Sequence, residues 1–174
     1  LKEETAIPII FKLCAGEFPY AKGVRIVNSY ANYGAIVFAK FLHKHQRRVV
    51  FAVDEDTTRN KGVARHLTRK SLERAGFDIP QQVHFVGPHY FEFAFSDAVW
   101  AKALNENTGN KAWTSARVSA LRDPPQAFAD KLITGSGIAS KPELGLVLAK
   151  SIRERTEVPD CLRLCIEKAI ELAS

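Results

Sequence analysis

Cysteine is scarce in this chain. Cys14, Cys161 and Cys165 are the only three in 174 residues, too few and too unevenly placed for a disulfide framework or a cysteine-rich zinc site. Cys161 and Cys165, four apart on a predicted helix, read as packing residues. Long apolar runs are missing as well: no stretch approaches the ~20 residues that a membrane-spanning helix needs. The first residues carry no signal-peptide pattern, so a cytoplasmic protein with no membrane partner is expected. There is no phosphate-binding P-loop of the G-x-x-x-x-G-K-[ST] kind. Linkers, low-complexity segments and internal repeats are also absent, which leaves one domain long enough to bury a proper core.

What is present is ordinary for a globular protein, with 46% apolar and 25% charged residues, but the charge is unbalanced. Lys and Arg exceed Asp and Glu by 25 to 19, for a net charge of +6 and a pI near 9.3. A basic surplus of this kind favours a polyanionic partner.

The central stretch is Arg48-Val49-Val50-Phe51-Ala52-Val53-Asp54-Glu55-Asp56. Five apolar residues run straight into three acids. An unbroken apolar run predicts a strand covered on both faces, as in a parallel α/β sheet, whose ligands lie beyond the carboxyl ends of the strands. Side chains two apart on an extended backbone point the same way. Asp54 and Asp56 would then converge on one hard cation such as Mg²⁺, with Glu55 facing elsewhere. A solvated acidic loop after a core strand is the plainer alternative.

Around it the pattern predicts alternation. Ile7, Ile10, Phe11 and Cys14 mark one face of an opening helix, with Pro8 in its first turn and Gly16 as its stop. Val24 to Val27 is a short predicted strand, followed by a helix with Ala35, Phe38, Ala39 and Leu42 on one face. After the central strand a helix over about 60–75 carries Lys61, Arg65 and Arg69 as a basic stripe. That stripe could track phosphates, and a solvated face explains it equally well. Gln82 to Val86 is the next strand. The turn from Gly87 to Glu92 enters a helix carrying Phe95, Val99 and Ala103, and Glu92 in its first turn suits the helix dipole.

From Asn105 to Trp113 the chain reads as polar and turn-rich. Pro124 and Pro125 open a helix to about Ile133, and Thr134 to Glu143 is a flexible loop with a capping box, Ser140 and Glu143, at its end. Lys141 has no comparable structural reason to be there. A last helix starts near Pro159. The expectation is an α/β fold with a parallel sheet, an α/β core over about 1–110 and a helical extension over about 114–174. Opening on a helix, the chain also looks as though a strand precedes it.

With Asp54-x-Asp56 after a buried strand, Glu3 and Glu4 at the first helix, Glu92 after the next strand, and Ser140-Lys141-Pro142-Glu143 opening a late helix, the sequence resembles a Toprim domain, from about Glu3 to Leu172. Specifically, it looks like the C-terminal nuclease domain of OLD-family (overcoming lysogenization defect) ATP-dependent endonucleases. That resemblance implies a Rossmann-like parallel sheet with flanking helices, and a DNA endonuclease using two divalent ions, Mg²⁺ or Mn²⁺. It implies metal ligands at Glu3, Asp54, Asp56 and Glu92 and catalytic roles for Asp54, Asp56 and Lys141; the basic stripe of Lys61, Arg65 and Arg69 would then supply the DNA contacts. It further implies an ATPase domain in the same protein or a partner chain, and a homo-oligomer. The departure from the family is its first strand and the Glu ending it, which are not in this sequence.

Two rival readings stand beside it. Asp54-x-Asp56-x-Thr58 also fits the first motif of haloacid-dehalogenase-type phosphatases, with Lys141 as their lysine, although no acid pair follows Lys141 at a strand end. The other is a catalytically inert Toprim-like module for assembly or DNA docking.

Overall fold

Two short parallel strands, β1 (Phe51–Asp54) and β2 (Val83–Val86), pair with Phe51 beside Val83 and Asp54 beside Val86. The computed structural model describes residues 2–27, 32–45, 47–55, 68–79, 81–109 and 111–174, and of residues 2–4 and 32–36 the backbone alone. The rest of the described chain is mainly helical. Helices α1 (Lys2–Ala15) and α2 (Asn32–Lys44) precede β1, and α3 (Arg69–Arg74) lies between the strands. After β2 come α4 (Phe91–Ala94), α5 (Asp97–Thr108), α6 (Ser115–Leu121), α7 (Phe128–Ser136), α8 (Lys141–Ser151) and α9 (Asp160–Ala173). The fold is therefore α/β with a parallel sheet, as the apolar run ending in acids suggests.

Side chains of β1 alternate. Phe51 and Val53 are buried with Leu72, Phe77, Val83 and Ala39, whereas Ala52 is exposed. Phe51 meets Phe77 edge-on, ring centroids 4.9 Å apart. The expectation of a strand covered on both faces is thus corrected: small Ala52 is left on the open face.

A larger core lies among the helices. Ile10 and Phe11 of α1, Trp100 and Leu104 of α5, Phe128 and Leu132 of α7, and Leu144 and Leu148 of α8 are all buried in it. Leu144 and Leu148, four apart, lie on one face of α8, and burying each contributes about 1.5–3 kcal/mol. Residues before 110 and after 114 share this core, because α8 packs on both α1 and α5. Helix α9 packs on both strands, and its Leu162 and Ile166 are buried in the helical core. Burial pushes the Cys165 thiol up to about 12, helped by Cys161, as befits a packing residue.

Several expectations change. Val24 to Val27 forms no strand: Val24 N–H is bonded to Pro19 O, and these residues have no ladder partner among the described residues. Pro8 sits well inside α1, not in its first turn, and the helix continues through it with Ile10 and Phe11 anchored in the core. The single helix expected after Glu92 is two, because Ser96 accepts from Val99 N–H and starts α5 afresh. That second helix runs through 105–108, where turns were expected, and α6, which the polar composition around it hid, begins at a Thr114 cap. Gly135 belongs to α7, not to a flexible loop. A Cβ there would meet the Trp113 ring at 2.9 Å, so glycine permits the close approach.

Candidate functional site

At the carboxyl edge of the sheet the end of β1 meets the start of α4. Asp54 ends β1 beside Val86, the last residue of β2. From Val86 the chain turns at Gly87, whose φ of 142° suits glycine; a Cβ there would stand 2.4 Å from His89 N and 3.2 Å from the Cβ of Glu55. This tight return brings the start of α4 against the end of β1. Tyr90, the residue before α4, makes no cap with its own side chain. Asp54 supplies the cap across the sheet, its Oδ1 accepting from Phe91 N–H at 2.9 Å. Asp54 is therefore an N-terminal cap from another element.

Glu92 follows directly in the same helical turn and is only 1% exposed. Helix dipole alone does not account for burial of a carboxylate this deep in a four-residue helix, since the dipole term is worth about 0.3–1 kcal/mol at an exposed end. The backbone carbonyl of Glu92 accepts from Trp100 Nε1 at 2.9 Å, which fastens α4 to α5.

Glu55, the residue after Asp54, pairs with Arg69. Its Oε2 lies 3.5 Å from an Arg69 nitrogen, and the Arg69 guanidinium stacks 4.0 Å over the Phe85 ring. Arg69 is the described member of the basic stripe, at the start of α3 and just after its Thr68 cap. Lys61 and Arg65 lie outside the described residues, as does Asp56, and so does the side chain of Glu3, whose backbone is in α1.

Lys141 opens α8 and forms an ion pair with Asp130 of α7, Nζ to Oδ1 3.0 Å, with the two side chains 42% and 64% exposed. Lys141, for which the sequence gives no structural reason comparable to the cap, thus has Asp130 as an exposed partner. Ser140 Oγ accepts from Glu143 N–H at 3.3 Å, as a cap should. The Glu143 carboxylate reaches one residue further back than a capping box requires, accepting from Ala139 N–H at 3.0 Å.

The two halves of the candidate site are connected through Tyr90. Its hydroxyl donates to Pro125 O at 2.5 Å and accepts from Ala129 N–H at 3.4 Å, one residue before Asp130. Phe93 of α4 also packs on Phe128 of α7, centroids 5.3 Å apart. Asp54 thus holds the start of α4, the helix that carries Glu92, α7 packs against α4, and Lys141 pairs with Asp130 of α7. Tyr90, Gly87 and Asp130 escape a reading of the sequence. The Gly-Pro dipeptide at 87–88 signals the turn, but nothing local says which strand end it folds back to.

Among the described residues no group of three or more His, Cys, Asp or Glu comes together as a metal centre. After Lys141 in the chain, the acids Glu154, Glu157 and Asp160 lie in or beside the turn Arg155–Glu157 and at the start of α9, and none of them ends a described strand. The chain matches no protein-family model, no curated protein and no solved structure.

Proposed function

We propose that the chain is the nuclease part of a larger ATP-dependent protein, a Toprim-like DNA endonuclease that uses divalent metal at Asp54. The observation that carries this reading is the place of Asp54 at the carboxyl end of a parallel strand, with its Oδ1 on the amide next to Glu92. Parallel sheets hold ligands at that edge. Carboxylate oxygens are the donors that Mg²⁺ and Mn²⁺ take, and Asp54 and Glu92 would supply them together with Asp56 and Glu3. Two such ions would supply an activated water and charge stabilisation on the leaving oxygen.

The chain's own groups then have distinct tasks. Asp54 keeps the Phe91 amide, and so the Glu92 turn, against the sheet edge. Lys141 would counter the charge on a phosphate. An exposed ion pair contributes about 0–1 kcal/mol, so exchanging Asp130 for a phosphate costs little. Arg69, with Lys61 and Arg65, would contribute to DNA binding, and an ATPase domain and a second copy of the chain are the partners this reading requires.

The test is nicking of supercoiled plasmid with Mg²⁺ or Mn²⁺, by the chain as it stands and by a version extended upstream. Asp54→Asn keeps an oxygen that accepts from Phe91 N–H while removing the negative charge, so the fold is expected to stand and nicking to disappear. Undiminished nicking by a folded Asp54→Asn protein would sink the assignment. The inert docking module is favoured by one fact: Asp54 and Lys141 each already have a structural partner. It requires salt-sensitive DNA binding with no nicking by either version.

A further inference from the structure

At the opposite end of the sheet, where the strands begin, the surface forms a cleft of about 530 Å³. Arg47 and Arg48, just before β1, and Gln82, just before β2, line one side of it. Lys168 of α9 faces them, and His43 of α2 also borders the space. The length of β1 lies between this cleft and Asp54.

Its electrostatics are one-sided. Three cations, Arg47, Arg48 and Lys168, face a single lining carboxylate, Asp78. Lys168 also meets Glu171 at 2.7 Å, a neighbour one helical turn on. Among the described residues no carboxylate pairs with Arg47 or Arg48. Arg48 is instead oriented by the end of α9, donating to Leu172 O at 2.5 Å. That bond uses one of the five N–H donors of a guanidinium. Gln82 Oε1 is likewise occupied, accepting from Asp78 N–H at 3.0 Å, which leaves its amide donors for something else.

We propose that this cleft binds a phosphate group. Two guanidinium groups, an ammonium and a carboxamide donor around one concavity match the oxygens of a phosphate, which arginine recognises through paired N–H donors. The volume falls within the roughly 300–1,000 Å³ of small-ligand sites, so a phosphate carried on a mononucleotide is tested beside the bare anion. The site is separate from the carboxyl edge and does not rest on the cleavage reading.

Titration calorimetry at constant ionic strength tests it, with inorganic phosphate, a 5′-mononucleotide and a short single-stranded oligodeoxynucleotide as probes. Binding of phosphate and mononucleotide is expected, and Arg47→Gln should weaken both about tenfold, the scale for losing one charged hydrogen-bond partner. The bond that Arg47 makes at the end of α2 is from its backbone N–H to Leu42 O, which a change of side chain leaves in place, so this variant should keep the fold, and circular dichroism checks it. A Lys168→Gln variant provides a second reading of the same loss from the other wall. An oligonucleotide that binds more tightly and loses the same factor in both variants supports the site with a DNA strand as the source of the phosphate. The Asp54→Asn protein should bind phosphate as the parent does. The proposal is overturned if phosphate binds no better than chloride at matched ionic strength, or if folded Arg47→Gln and Lys168→Gln proteins bind it unchanged.

Discussion

The guanidinium of Arg122 donates to Asp97 Oδ1 at 2.6 Å, to Phe93 O at 2.9 Å and to Phe95 O at 2.6 Å, and it lies over the rings of Phe93 and Phe128. Those carbonyls stand at the end of α4, where a four-residue helix leaves acceptors unpaired. One side chain therefore closes the helix that Asp54 opens. Arg122→Ala should lower stability by about 2–3 kcal/mol, because charged hydrogen bonds are lost and half-buried carbonyls are left without donors. Lysine cannot reach three acceptors with a planar fork, so Arg122→Lys should recover little. Urea unfolding followed by fluorescence of Trp100 and Trp113 would measure this, as a fall in midpoint at unchanged slope.

At the scale of elements, α4 and α8 begin in different ways. Helix α8 begins on its own sequence, with Ser140 accepting from Glu143 N–H and Glu143 accepting from Ala139 N–H. Helix α4 has no local cap and depends on Asp54, thirty-seven residues earlier. A consequence for α8 is that its two adjacent polar residues should differ in worth. Ser140→Ala should cost about 1 kcal/mol, the usual loss of a cap, and Lys141→Ala should cost less, since its ion pair is exposed on both sides. Thermal unfolding of the two variants side by side checks the order. A Lys141→Ala protein less stable than Ser140→Ala would mean that the pair with Asp130 matters more to α7–α8 packing than its exposure allows.

Across the whole molecule, a large helical core and a small one at the sheet meet under α9, which packs on both strands. His84 of β2 lies at that junction, its Nε2 buried with no hydrogen-bond partner among the described residues. Burial pushes the His84 imidazole below its ordinary value, and the nearby Lys168 ammonium pushes it the same way. The folded protein thus favours the neutral ring, and the unfolded chain takes up the proton first. The stability this contributes is complete above the ordinary histidine value of about 6.5 and is lost as pH falls below it, through the lower folded value. Glu157 acts in the same direction but lower on the scale: burial raises its carboxyl, Lys102 and the amides of Arg153 and Glu154 outweigh that, and its contribution is lost only in the carboxylate range. Between pH 7 and 5 the decline should be shallower for His84→Phe than for the parent, read from denaturation midpoints. An identical slope would remove the histidine from the account.

Local patterns sufficed for much of this. The run from Val49 to Asp56 contains a strand that ends in an acid, Gly16 ends the first helix, Ser140 and Glu143 start α8, and Leu162 and Ile166 face inward on α9. Each depends on residues within a few positions of one another, so spacing carries the information. Tertiary structure decided what the same residues do. Asp54 became the cap of α4, Lys141 the partner of Asp130, and Gly135 the gap into which Trp113 fits, because in each case the deciding neighbour is brought near only by packing. The cleft of Arg47, Arg48 and Lys168 is of that kind too: its walls are about 120 residues apart in the chain, and they meet because α9 folds back over the start of the strands.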